Sequence, residues 1–178
     1  MEHPGGKFAL FDLFFAEGSE DDVFDGWFRA MDIRPRTGKR LAGYSSWYNR
    51  HENITEESIR EDLAGCKTLL APCDLFQVDD GWEPKVGDWL EADHDKFPQG
   101  MKRMADAIHE NGFRAGLWLA PFVCEKDSAV YQQHPDWLLQ VNGKPWCCGG
   151  NWSSFYALDI DKPQVLDHLH RVFGRVLN

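Results

Sequence analysis

At 178 residues the chain is long enough for one domain with a sizeable core and too short for two large ones. A net charge of −10 argues against nucleic acid and anionic membranes as partners, and no run approaches the ~20 apolar residues a membrane span needs. The five cysteines have irregular spacing, which fits reduced thiols better than a disulfide framework; Cys147-Cys148 lacks the C-x-x-C partner of a metal site.

No basic segment followed by an apolar run marks a secretory signal at the N-terminus, so a cytoplasmic protein is expected. On that expectation the two N-x-[ST] matches, at Asn53 and Asn151, are chance occurrences. Eight tryptophans are many for this length, and indoles serve both cores and flat-ligand platforms.

In chain order, residues 8–16 (FALFDLFFA) read as a strand. Ser19 then opens a helix with Glu20, Asp21 and Asp22 in its first turn and Val23, Phe24, Trp27, Phe28 and Met31 at helical spacing; Trp27 is expected in the core. Arg34 to Arg40 is a basic linker. Leu41 to Trp47 reads as a short strand. Thr55 caps a helix with Ile59, Leu63, Cys66 and Leu70 on one face. Leu75 to Val78 is a strand, and Glu83 to Gln99 a polar loop.

A helix follows from Gly100 to Asn111, with Met101, Met104, Ala105 and Ile108 inward and Gly112 as its stop. Arg114 to Ala120 is a third strand. A long excursion holds Trp137, read as core, and a turn at Asn142-Gly143. Phe155 to Leu158 is extended. Asp161 caps a last helix with Pro163 in its first turn and Val165, Leu166, Leu169, Val172, Phe173 and Val176 on it. His51, His109 and His168 are read as surface or capping residues.

This alternation of strand and helix is that of an α/β protein with a parallel sheet. A doubly wound nucleotide-binding sheet would carry a glycine-rich turn after its first strand; here Trp47-Tyr48-Asn49-Arg50 follows instead. Polar and aromatic residues cluster at or near the ends of the strands: Trp47, then Asp79-Asp80-Gly81-Trp82, then Trp118. A (β/α)8 barrel places its ligand site at that end.

Asp79 and Asp80 carry the most chemistry. Side chains alternate along a strand, so neighbours inside one could not reach a common ligand. At the strand's end Gly81 allows a sharp turn, and both carboxylates can aim at one point. Two acceptor-only groups suit a polyhydroxyl ligand or a cation. The nearby indoles favour a sugar, whose C–H face an indole covers. The competing reading is a local turn or helix cap.

An ordered series of motifs resembles the α-galactosidases of glycoside hydrolase family 36. It runs through Gly43-Tyr44-Ser45-Ser46-Trp47-Tyr48, Phe76-Gln77-Val78-Asp79-Asp80-Gly81-Trp82, Gly87-Asp88-Trp89, Lys96-Phe97-Pro98-Gln99-Gly100, Gly112-Phe113-Arg114-Ala115-Gly116-Leu117-Trp118, His134-Pro135-Asp136-Trp137 and Tyr156-Ala157-Leu158-Asp159. The resemblance implies that residues 41–178 are the first portion of a (β/α)8 barrel, about three βα units and incomplete. It implies that residues 1–40 are the tail of an upstream β-sandwich domain plus a linker helix. Asp79 and Asp80 would hold the galactose hydroxyls at C4 and C6, with Trp47 and Trp118 as aromatic walls.

The implied reaction is retaining hydrolysis of a terminal α-galactoside of melibiose or raffinose type, by two carboxylates about 5 Å apart, without cofactor or metal. The full-length protein is expected to be a homo-oligomer. The family's nucleophile lies in a Lys-x-Asp motif on the fourth strand and its acid/base on the sixth. Neither is present before Asn178, so the chain alone is expected to be inactive. Exposed strand edges predict poor solubility. Where family members commonly carry an arginine, this chain has Gly149-Gly150-Asn151-Trp152. A raffinose-synthase-like galactosyl transferase and a non-catalytic galactose-binding module are the alternatives.

Overall fold

The computed structural model describes residues 13–34, 38–68 and 73–177, and the chain divides into two compact units between Arg40 and Leu41. In the first unit, α1 (Glu20–Ala30) begins where expected: the Ser19 hydroxyl accepts the Asp22 amide at 3.2 Å, and three acids sit in the first turn. The expected strand over 8–16 falls mostly outside the described residues, and 13–16 form none. Trp27 is 39% exposed, not core, because the described residues of this unit supply no second layer to cover α1.

The second unit is mixed α/β. Its elements are β1 (Gly43–Ser45), α2 (Trp47–Arg50), α3 (Glu56–Cys66), β2 (Leu75–Val78), α4 (Gly100–Glu110), β3 (Arg114–Leu117), β4 (Val123–Glu125), α5 (Ala129–Gln133), a 3-10 turn (Pro135–Trp137), β5 (Gln140–Val141), β6 (Lys144–Pro145), β7 (Cys147–Gly149), β8 (Phe155–Ala157) and α6 (Pro163–Leu177). β1, β2 and β3 form a parallel sheet in that order, with Tyr44 opposite Phe76 and Phe76 opposite Ala115. Among the described residues no closed barrel forms. A second sheet, β4-β8-β7, is antiparallel.

Each helix of the first two strand–helix pairs follows from its ends and its stripe. Thr55 and Ser58 exchange side-chain and backbone hydrogen bonds at the start of α3, which directs Ile59, Leu63 and Cys66 onto the sheet. Leu70 lies outside the described residues. α4 buries Met104, Ala107 and Ile108, while Met101 and Ala105 are half-buried. Gly112, at φ +87°, follows its end. Phe76 and Val78 fill the space between these helices, and burying side chains of that size contributes roughly 1.5–3 kcal/mol each.

Several expected bounds shift. The first strand is only Gly43–Ser45, because Trp47 starts a short helix. Arg50 at its end clamps Asp62 on α3, with Nε on Oδ2 at 3.0 Å and Nη2 on Oδ1 at 2.8 Å. The third strand stops at Leu117, so Trp118 stands after it rather than within it. α6 begins at Pro163, directly after Lys162; Asp159, not Asp161, accepts a backbone amide there, that of Asp161 at 3.2 Å. Asn142 and Gly143, both at positive φ, make the expected tight hairpin.

Two corrections concern burial. The 83–99 segment is polar by count, but Val86, Trp89 and Phe97 are fully buried, so its apolar minority anchors it in the main core. His168 is not on the surface. It shares the inward stripe of α6 with Val165, Leu169 and Val172, and is 4% exposed against Trp137, which is core as expected. Burial, helped by Arg171 and His134, holds its imidazole below the ordinary histidine value. His109 is exposed, and no helix among the described residues is long and apolar enough to cross a membrane.

Candidate functional site

The site is assembled at the C-terminal ends of the three parallel strands. Ser45 on β1 lies opposite Gln77 on β2. Gln77 and Asp79 are two apart, so they share a face. Asp79 Oδ2 accepts from Ser45 Oγ at 2.9 Å and from Gln77 Nε2 at 2.7 Å, and its Oδ1 accepts the Asp80 amide at 3.0 Å. The Asp79 amide donates to Ser46 Oγ at 2.9 Å. These donors offset the cost of a carboxylate that is only 8% exposed.

Gly81 makes the turn. Its φ is +107°, and a Cβ there would lie 2.5 Å from the Glu52 carbonyl oxygen, so only glycine fits. Lys96 Nζ donates to the Gly81 and Glu52 carbonyls at 3.0 and 3.3 Å, fixing the turn's other side.

The turn brings Asp80 onto the same opening as Asp79. A cavity of about 480 Å³ is lined by both aspartates, Ser45, Gln77, Trp47, Trp118 and Trp152. The Trp118 amide bonds the Val78 carbonyl at 2.9 Å, which fixes that indole beside the second strand. Trp82, Trp89, Trp118 and Trp152 form a chain of ring contacts with centroids 5.7–6.3 Å apart.

Asp80 has two further partners. Trp152 Nε1 donates to its Oδ2 at 3.0 Å, and the Glu83 carboxyl is hydrogen-bonded to it. Glu83 is 4% exposed, and its Oε2 also accepts the Gly81 amide at 3.3 Å. Burial first, and the hydrogen bond with Asp80 next, push the Glu83 acid up to about 8. That upward shift favours the protonated acid, the form that can donate to Asp80. A second cavity, of about 360 Å³, lies behind Asp80 and is lined by Glu83, Glu52, Lys85, Lys96 and Glu125 among others.

The family model for melibiase matches residues 45–178.

The chain belongs to the melibiase family.

It is 38% identical over 140 residues to Alpha-galactosidase 1 of Pediococcus pentosaceus, covering 75% of this chain and 18% of that protein. It is 32% identical over 140 residues to Alpha-galactosidase AgaA of Geobacillus stearothermophilus, again covering 75% of this chain and 18% of the relative. Among solved structures it is similar to TtGalA, the α-galactosidase from Thermus thermophilus in complex with stachyose. That likeness has 36% identity and a TM-score of 0.79, and covers 90% of this chain and 34% of that one. The chain thus spans about a fifth of the length of the curated relatives it matches.

In this chain the four residues singled out from sequence, Asp79, Asp80, Trp47 and Trp118, line one cavity. Three contributors were missed. Gln77 was legible from its two-residue spacing to Asp79. Glu83 lay in a segment read only as polar loop. Trp152 had no local signal, because 72 residues separate it from its partner Asp80. Its backbone is unusual for a bulky residue, with φ +52°, and Ser154 nearby is at φ +72°. Glu125 secures that loop: its Oε2 accepts the Ser153 amide and hydroxyl at 3.1 and 2.8 Å, and its Oε1 accepts the Val86 amide at 3.0 Å. Among the described residues no cluster of His, Cys, Asp and Glu is arranged to hold a metal.

Proposed function

We propose that this chain supplies the galactose-holding part of an α-galactosidase, within the first three βα units of a (β/α)8 barrel. Residues 1–40 are read as the end of an upstream β-sandwich domain with its linker helix, α1. The single observation that supports the site reading most is the convergence of the Asp79 and Asp80 carboxylates, with the Trp47 and Trp118 indoles, on one cavity.

Acceptor bookkeeping fits a sugar. A carboxylate offers roughly four lone-pair sites. Asp79 uses three, on Ser45, Gln77 and the Asp80 amide, and Asp80 uses two, on Trp152 and Glu83. The remaining sites are enough for the C4 and C6 hydroxyls of galactose. The equatorial C4 hydroxyl of glucose points elsewhere. An indole beside them covers the apolar C–H face of the ring. The hydrolysis itself is a proposal for the protein that carries this site, and no residue of this chain is assigned as nucleophile or acid/base.

Isothermal titration with D-galactose and D-glucose tests the reading. Saturable heat with galactose alone is expected, and Asp79→Asn or Asp80→Asn should each weaken galactose binding roughly tenfold or more. Equal binding of the two sugars, or native affinity in both variants, would overturn it.

A further inference from the structure

We propose that Glu83 is a positioning residue for the hexose site: it holds Asp80 in place from the rear cavity without touching the sugar. The proposal rests on the galactose reading of the Asp79–Asp80 cavity.

The geometry separates Glu83 from the ligand. Asp80 and Trp152 line both cavities, whereas Glu83 lines only the rear one. Asp80 is therefore the wall between them. Its carboxylate is held by the Trp152 indole N–H at 3.0 Å and by Glu83. Glu83 is itself fixed by the Gly81 amide, within the turn that aims Asp80. Moving Glu83 would move both the turn and the carboxylate.

The chemistry needs a proton on Glu83. Two ionised carboxylates in contact, both nearly fully buried, would repel strongly. With the proton on Glu83, the pair becomes an O–H donor on a carboxylate, among the stronger hydrogen bonds available. The surroundings favour that arrangement. Trp152 adds a donor to Asp80 at 3.0 Å. Lys96 is turned to two backbone carbonyls, and Glu125 takes its three bonds from Val86 and Ser153. Lys85 and Glu52 complete the charged lining of the rear cavity. Burial and the hydrogen bond with Asp80 push the Glu83 acid up to about 8, so the grip on Asp80 should fail as pH rises through that value.

Glutamine at position 83 keeps the shape, donates N–H to Asp80 and accepts from Gly81, but cannot titrate. Alanine removes both bonds. The test is the affinity for D-galactose of native protein, Glu83→Gln, Glu83→Ala and Asp80→Asn between pH 6 and 9.5, with circular dichroism to establish folding at each pH. Native affinity should fall above pH 8. Glu83→Ala should bind roughly tenfold more weakly at pH 6.5, and Glu83→Gln should recover most of that loss and show no alkaline fall. If Asp80→Asn abolishes binding while the Glu83 variants match native affinity and its pH profile, the positioning role is refuted and the hexose reading stands. If Asp80→Asn binds galactose like native protein, the hexose reading itself fails.

Discussion

Glu125 ties the two loops that meet at the site, and removing it gives a measurable cost. Its carboxylate is 5% exposed and takes three hydrogen bonds, from the Val86 amide and from the Ser153 amide and hydroxyl. Glu125→Ala leaves these donors without a partner. A buried unpaired donor costs about 1–3 kcal/mol; the Val86 amide is buried and bears the full cost, while half-buried Ser153 regains part of its loss from water. The total is roughly 3–5 kcal/mol. Glu125→Gln keeps the shape and one acceptor oxygen, so about 1–2 kcal/mol is expected. Urea unfolding followed by tryptophan fluorescence at pH 7 measures both. The alanine variant should also bind galactose more weakly, because Ser153 is what fixes neighbouring Trp152 over Asp80. An alanine variant within about 1 kcal/mol of native stability would show that these bonds do not hold the loop.

Three other outcomes are expected. Gly81→Ala places a Cβ 2.5 Å from the Glu52 carbonyl at a φ of +107°, so thermal melting should reveal a large destabilisation, and galactose binding should vanish in whatever folds. Glu83 has a raised pKa, so folded protein keeps a proton that unfolded chain releases above the ordinary carboxylate range. Stability should therefore fall as pH rises from 4.5 towards about 8, by up to about 1.4 kcal/mol per pH unit, and Glu83→Gln should flatten that slope in denaturation series. Asp62 has the opposite sign: burial raises its pKa, but the Arg50 and Tyr44 hydrogen bonds outweigh that and hold it low. The stability it contributes is present above the ordinary carboxylate value and lost as acid drives pH below it, and Asp62→Asn should remove that acid-side loss.

What the sequence disclosed depends on range. The helix start at Thr55, the strand Leu75–Val78 and the turn at Asn142-Gly143 rest on neighbouring residues, and their signals were local. The aspartate pair was legible because a strand, two acids and a glycine adjoin. Trp27 and His168 were misread in opposite directions, since helical spacing tells which residues share a stripe but not whether another layer covers it. The antiparallel β4–β8 pairing and the Trp152–Asp80 bond join residues far apart in the chain, and no pattern at either end announces the other. Glu83 was visible as an acid near the site, but its proton follows from burial against Asp80, which only the fold reveals.

The most direct test is a crystal structure of the protein with D-galactose bound. The C4 and C6 hydroxyls should lie about 2.5–3.0 Å from the Asp79 and Asp80 carboxylates, with the Trp47 or Trp118 indole against the ring's C–H face. Galactose bound away from both aspartates, with their oxygens meeting only Ser45, Gln77, the Asp80 amide, Trp152 and Glu83, would contradict the account.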